Sequence, residues 1–227
     1  MTGAGVTGAR ADRLPAWTRV LVVVAHPDDE SFGMGAVLDR FTADGAEVAV
    51  LCLTQGEAST LGAADDLAGV RAAELDGAAR ALGVGSTQLL DHPDGGLGTL
   101  APGVLEADVA AAVAAHRPDG ILVFDPKAGV TGHPDHAAAS LAALSVGRAR
   151  GMLVLGWALP VRVSDALNDE YGAAFAGYPE EDLDIALEVD RTRQRQAIAA
   201  HASQAVPGSV LWRRLELLGD REYVRAL

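Results

Sequence analysis

The sequence predicts an α/β fold, a mostly parallel sheet with helices on both faces, and three observations predict it. Short β-branched apolar runs alternate with stretches of helical period from Arg19 onwards. Polar, ionisable residues gather in the segments that directly follow those runs. No charge block, Ser/Pro-rich linker or internal repeat divides the 227 residues, so one domain over 1–227 is expected.

The elements follow in order. RVLVVVA (19–25) is a short β-branched run between Pro15 and Pro27 and predicts a buried strand. GAVLDRFTADG (35–45) has helical spacing and ends in a glycine suited to a C-cap. EVAVLCL (47–53) predicts a second strand, and residues 63–83 the clearest amphipathic helix. TQLLD (87–91) predicts a third strand, followed by the turn-rich PDGGLG. A helix over 104–116, a strand over 119–125, a helix over 133–149 and a strand over 152–159 come next. Residues 160–182 match no pattern and are expected to form a variable lid, with Tyr171, Phe175 and Tyr178 as candidate pocket walls. A strand over 184–190 and a helix over 191–204 complete the series. Residues 1–17 are expected to be a flexible tail.

Composition narrows the function. With 31 acidic and 18 basic residues the net charge is −13, which repels phosphate backbones, so no nucleic-acid partner is expected. The one basic stretch, RTRQRQ (191–196), is offset by Glu180, Glu181, Asp182, Asp184, Glu188 and Asp190. Cys52 is the only cysteine, which excludes an intrachain disulfide and a Cys-based zinc knuckle. Within VAVLCL it reads as a small core residue, and a reducing, cytoplasmic location fits. The first sixteen residues hold no apolar h-region, and no apolar run is long enough to span a bilayer, so no membrane partner is expected. A homo-oligomer is left open.

In open α/β sheets ligands bind beyond the carboxyl ends of the strands. Here the loops at those ends carry HPDDE, TQGE, HPDGG and HPDH, so four loops direct polar residues to one face. His26, Asp29, His133 and His136 are the candidate metal ligands. A catalytic zinc takes three imidazole or carboxylate ligands and keeps one position open. His26 and Asp29, three apart at a loop-to-helix entry, can face one point, and His136 can supply the third ligand from a distant loop. Asp28 is then free to deprotonate a water, and His133 can assist an oxyanion or protonate a leaving amine. Asp135 can orient one of the histidines through its free ring N–H. Either HPD motif alone is also explained by a turn or a helix N-cap, and Asp-Asp-Glu suits a helix start. Two such motifs, each after a buried apolar strand, favour the chemical reading.

AHPDDE (25–30) together with GHPDH (132–136) resembles the LmbE/PIG-L-like zinc-dependent N-acetylglucosaminyl deacetylase family. Weaker matches follow in order: Thr54 to Glu57, Arg71 to Glu74, PDGGL at 93–97, and His201 to Gln204. The resemblance, over about residues 18–205, implies a Rossmann-like fold and Zn2+, or another divalent ion, held by His26, Asp29 and His136. It implies Asp28 as general base, His133 with its neighbour Asp135 at the tetrahedral intermediate, and Arg71 and Asp94 as sugar contacts. An ion pair of Arg71 with Glu74 or Glu57, and a turn role for Asp94, are the competing readings. Glu30 and Glu57 read as structural residues, and His201 and Gln204 as support for the site or as caps. KAGVTG (127–132) lacks the tyrosine found near this place in some members, so a tyrosine-assisted mechanism is not expected.

The expected activity is zinc-dependent removal of an acyl group, acetyl first, from an N-acyl amino sugar or its conjugate. The alternatives are an amidase of the same fold acting on a thiol conjugate or another amide, and a non-catalytic metal-binding member. A two-metal phosphoesterase is disfavoured because few carboxylates are evident beyond Asp28 and Asp29. A dinucleotide-binding protein is disfavoured because HPDDE, not a glycine-rich loop, follows the first strand.

Overall fold

The computed structural model describes residues 10–62 and 64–227. β1 (Arg19–Val24) lies inside the sheet, with β2 (Glu47–Thr54) on one side and β4 (Gly120–Phe124) on the other, both parallel to it. Val20, Val22 and Val24 face one layer of helices and Leu21 and Val23 the other, so an uninterrupted apolar run serves two cores at once. The first core receives Val37, Leu38 and Phe41 of α2 (Gly35–Ala43), Leu75, Ala78 and Leu82 of α3 (Leu67–Leu82), and Ala197 of α7 (Thr192–Ala200). The second receives Leu105, Val109 and Val113 of α4 (Val104–His116), with Ala139, Ala142 and Val146 of α5 (Pro134–Arg150). Each large aliphatic side chain buried this way contributes roughly 1.5–3 kcal/mol.

The strand order is β3-β2-β1-β4-β5-β8-β7, with β3 at Ser86–His92, β5 at Leu153–Pro160, β7 at Ile185–Glu188 and β8 at Arg221–Ala226. The short β6 (Gly177–Tyr178) pairs with the end of β5. The chain steps outward from β1 to β3, then returns to place β4 on the opposite side of β1. That reversal opens a crevice between the ends of β1 and β4, the usual ligand position in such sheets. The connections that leave these two strands, each running into a helix, carry His26–Asp29 and His133–His136, and topology alone brings them together.

The expected α/β class, mostly parallel with helices on both faces, agrees with this architecture. Differences concern its far side. β8 is antiparallel to both β5 and β7. Its sequence, REYVRA, mixes charges with apolar residues, yet Glu222, Tyr223 and Val224 are all buried, because Glu222 finds partners inside. Residues 160–182, left without a pattern, hold α6 (Val161–Tyr171) and β6. α8 (Val210–Leu218) and the single turn α1 (Asp29–Phe32) complete the helices. α3 begins at Leu67, not 63, where the Asp66 carboxylate accepts the Gly69 N–H at 3.0 Å.

The expected tail over 1–17 is corrected from Arg10 onward. Ala11 makes a parallel bridge with Ile185, Leu14 is buried, and Trp17 stacks on Phe41 with ring centroids 5.6 Å apart. Apolar contacts thus tie down a stretch whose composition suggested none. The rest of the tail, residues 1–9, lies outside the described residues. No helix among the described residues is long and apolar enough to cross a membrane.

Candidate metal centre and active site

The end of β1 turns sharply because the Asp29 carboxylate folds back onto it. Asp29 Oδ2 accepts the N–H of His26 at 2.9 Å and of Ala25 at 3.2 Å. This fixes the carboxylate, and its Oδ1 lies 3.1 Å from His136 Nε2. His26 Nδ1 lies 3.6 Å from Asp29 Oδ2 and 3.1 Å from His136 Nε2. Behind His136, its Nδ1 meets Thr131 Oγ1 at 2.7 Å, which sets the ring so that Nε2 faces the centre. Gly129, at φ 56°, lets the loop pass close, since a β-carbon there would lie 2.5 Å from His136 Cβ.

The far nitrogen of His26, Nε2, lies 3.0 Å from Asp94 Oδ1 and 3.5 Å from Asp135 Oδ2, but no acceptor is aligned with it for a hydrogen bond. Burial works against charge on this imidazole. Asp135, Asp29 and Asp94 outweigh burial and push it up to about 12. Burial likewise opposes ionisation of Asp29, yet His136 and His26 hold its carboxyl well below the usual range. The centre is therefore built around positive charge. Two imidazole nitrogens 3.1 Å apart, each within 3.1–3.6 Å of one oxygen of the Asp29 carboxylate, form a donor set that suits zinc.

Asp28 is bent into the positive-φ region (φ 130°, ψ −26°), a conformation that costs a non-glycine residue about 1–3 kcal/mol. Its carbonyl accepts the N–H groups of Ser31 at 3.0 Å and Phe32 at 2.8 Å, and two side chains complete the restraint. Its N–H donates to Glu30 Oε2 at 3.0 Å, and Arg71 Nη2 lies 3.0 Å from its Oδ2. Arg71, only 3% exposed, also donates to the Gly56 carbonyl at 2.7 Å and to the Pro27 carbonyl. Gly56 is required there, because a β-carbon would fall 2.0 Å from Arg71 Nη1. Burial pushes the Asp28 carboxyl up, the Arg71 guanidinium draws it back, and the outcome is about 6.

His133 is more open than His26 and His136, and its ring centroid is 4.7 Å from that of His26 and 5.1 Å from that of His136. Its Nδ1 accepts the Asp135 N–H at 3.2 Å, capping α5. Burial lowers its pKa, and charge on His26 and His136 lowers it further. Asp135 is fully buried, and its carboxylate accepts the N–H of Gly95 at 2.8 Å and of Leu97 at 3.1 Å, tying down the PDGGL loop. Asp94 joins the same network, its Oδ2 accepting the Ala58 N–H at 3.0 Å.

All eight residues singled out from the sequence thus share one neighbourhood, but several have partners that the sequence did not disclose. Arg71 pairs with Asp28 rather than with Glu57 or Glu74, and Glu74 instead accepts from Ser203. Asp94 and Asp135 bring carboxylates to His26 that a count of Asp28 and Asp29 alone had missed. Thr131 behind His136 carried no sequence signal. Of the expected pocket walls, Phe175 lines the cavity, Tyr171 is exposed, and Tyr178 donates to Asp125 at 2.7 Å. The cavity measures about 770 Å³. Its polar floor is His26, Asp28, Arg71, Asp94, His133 and His136, and Phe32, Leu61, Phe124, Phe175 and Leu211 supply an apolar wall.

Residues 21–146, more than half of the chain and inclusive of every residue of that polar floor, match the model of the family described as PIG-L, GlcNAc-PI de-N-acetylase. The chain belongs to this family. Two relatives carry the name 1D-myo-inositol 2-acetamido-2-deoxy-alpha-D-glucopyranoside deacetylase. The one from Kineococcus radiotolerans is 32% identical over 86% of this chain and 71% of its own length. The one from Rhodococcus opacus is 35% identical over 52% of this chain, a match that spans about half, 49%, of that relative. Among solved structures, N,N'-diacetylchitobiose deacetylase from Pyrococcus horikoshii has the same fold, with a TM-score of 0.65 at 23% identity over 93% of this chain and 84% of that one.

Proposed function

We propose that this family member hydrolyses the amide of an N-acyl amino sugar or its conjugate, releasing the acyl group, acetyl first, as a carboxylate and leaving a free amine. The observation that carries this reading is Asp28. A strained, partly buried carboxylate stands directly beside His26, Asp29 and His136, the residues that would hold a metal, which suits a hydrolytic base better than a binding module. Membership of the family and the names of its relatives support the same reaction.

His26, Asp29 and His136 would hold Zn2+ or another divalent ion, which when bound supplies Lewis acidity to the acyl carbonyl and to water. Asp28 takes the proton from the attacking water and returns it to the departing nitrogen. His133 accepts the Asp135 N–H through Nδ1, so the neutral ring carries its proton on Nε2. That N–H donates to the carbonyl oxygen as charge develops there. Asp94 and Asp135 bring negative charge to the far side of His26. Arg71 positions Asp28, and with Asp94 it borders the space where sugar hydroxyls would lie.

The single buried thiol of Cys52, pushed well up by burial, suits the core role read from the sequence and supports a reducing, cytoplasmic setting. The test is primary-amine release by metal-loaded protein from a panel of N-acylated substrates. The panel includes N-acetylglucosamine, its inositol glycoside, its disaccharide and an N-acyl thiol conjugate. Release from at least one amino-sugar member is expected. A metal-replete protein that releases amine from none of them would overturn the reading.

A further inference from the structure

The mechanism makes no use of the best-buried ion pair near the site. Glu30 and His201 are both 0% exposed, and Glu30 Oε1 lies 2.7 Å from His201 Nε2. The same oxygen accepts from Ser31 Oγ at 2.5 Å, and the other, Oε2, accepts the N–H of Asp28 at 3.0 Å. Neither residue lines the cavity. His201 ends α7, 171 positions away from Glu30, and its carbonyl is held in turn by the N–H groups of Gln204 and Ala205 at 2.9 and 2.8 Å. It lies outside the stretch that matches the family model.

We infer that the Glu30–His201 pair is a positioning device that holds the Asp28 backbone in its strained conformation, and so aims the base. It rests on the deacetylase reading, and it gives the end of α7 a function in a reaction whose other residues all lie before residue 146. A residue at φ 130° returns to an ordinary conformation unless its surroundings forbid it. Here the Asp28 main chain has one side-chain acceptor, Glu30, and its side chain has one cationic partner, Arg71. Glu30 reaches the Asp28 N–H only in the rotamer that its second oxygen fixes against His201 and Ser31. Releasing His201 leaves Ser31 as the only partner of that oxygen and loosens the rotamer, so the Asp28 N–H loses its fixed acceptor while the Asp28 carbonyl stays bonded to Ser31 and Phe32. Asp29 is anchored independently, by Ala25 N–H and His26 N–H, so metal binding does not depend on the pair.

Two substitutions separate reach from charge. Glu30→Gln keeps the length and an acceptor oxygen for the Asp28 N–H, and loses the charge. Glu30→Asp keeps the charge and loses the reach. Positioning predicts that Glu30→Asp lowers kcat by about 10- to 100-fold with KM and zinc content near wild type, while Glu30→Gln stays within about threefold. His201→Leu and His201→Gln repeat the comparison from the other partner, since Gln still donates to Glu30. Amide hydrogen exchange at residue 28 supplies a readout without substrate: the Asp28 N–H should lose protection in Glu30→Asp and His201→Leu and keep it in the Gln variants.

The inference is overturned if Glu30→Asp is more active than Glu30→Gln, or if kcat and residue-28 exchange are unchanged in Glu30→Asp and His201→Leu. Should the Glu30 variants not fold, the His201 pair decides. Failure of all four to fold would assign the pair to stability alone and also overturn it. If wild-type protein releases no amine from any substrate, the deacetylase reading falls, while the exchange comparison still decides whether the pair holds Asp28.

Discussion

Nδ1 of His26 and Nε2 of His136 face each other at 3.1 Å, across 110 positions of sequence, with Asp29 against both. Imidazole nitrogens this close, beside one carboxylate, have a natural common partner in a divalent cation. His136→Ala should therefore abolish stoichiometric zinc. Thr131→Val, which removes only the hydroxyl at 2.7 Å from His136 Nδ1, should weaken zinc about 10- to 100-fold. Competition with a fluorescent chelator measures both. Equal zinc affinity in Thr131→Val and wild type would remove Thr131 from the centre.

Asp28→Asn should lower kcat by about 100- to 10,000-fold, with zinc content unchanged. The amide keeps the size of the side chain and cannot take a proton. Near-normal turnover in this variant would end the general-base assignment.

Arg71→Met should act on stability and turnover together. The substitution leaves the Gly56 and Pro27 carbonyls without their donor and Asp28 without its cation, and breaking a buried pair of this kind costs about 3–5 kcal/mol. Thermal unfolding gives the first effect and kcat the second. If Arg71 served only as a sugar contact, KM would rise while Tm and kcat stayed in place.

The charge on His201 makes stability depend on pH. Burial alone would lower its pKa, but Glu30 prevails and raises it above the ordinary 6.5. A raised folded-state pKa contributes stability that is fully present below 6.5 and is lost as pH rises through the folded value. The Tm advantage of wild type over His201→Gln, which cannot titrate, should be largest in mildly acidic buffer and shrink as pH rises. A gap that widens towards alkaline pH would contradict a protonated His201.

Much of this was legible in the sequence because strands buried on two faces must be apolar throughout. Val20 to Val24 therefore announced a central strand, and the polar residues after Ala25 announced its open end. The HPD motifs were readable for the same reason, as ionisable groups in places where only a ligand or solvent justifies them. What stayed hidden depends on tertiary partners. Arg71 looks like any arginine on an amphipathic helix until Pro27, Gly56 and Asp28 are placed around it. Thr131 sits in KAGVTG with no periodicity to mark it. β8 was missed because Glu222 and Arg225 argue for exposure, whereas Arg191 and Trp157 wait for Glu222, and Asp125 for Arg225, inside the fold.

Because Glu30 closes on His201 only after the chain has travelled 171 positions, full activity reports on the docking of α7. During synthesis, all three candidate metal ligands are present once α5 has formed, well before α7 has emerged. A chain arrested between them would carry the ligands for a metal ion but lack the clamp on its base. Metal binding would then precede full turnover in the growing chain, and a product ending before α7 would hold the ion yet turn over slowly.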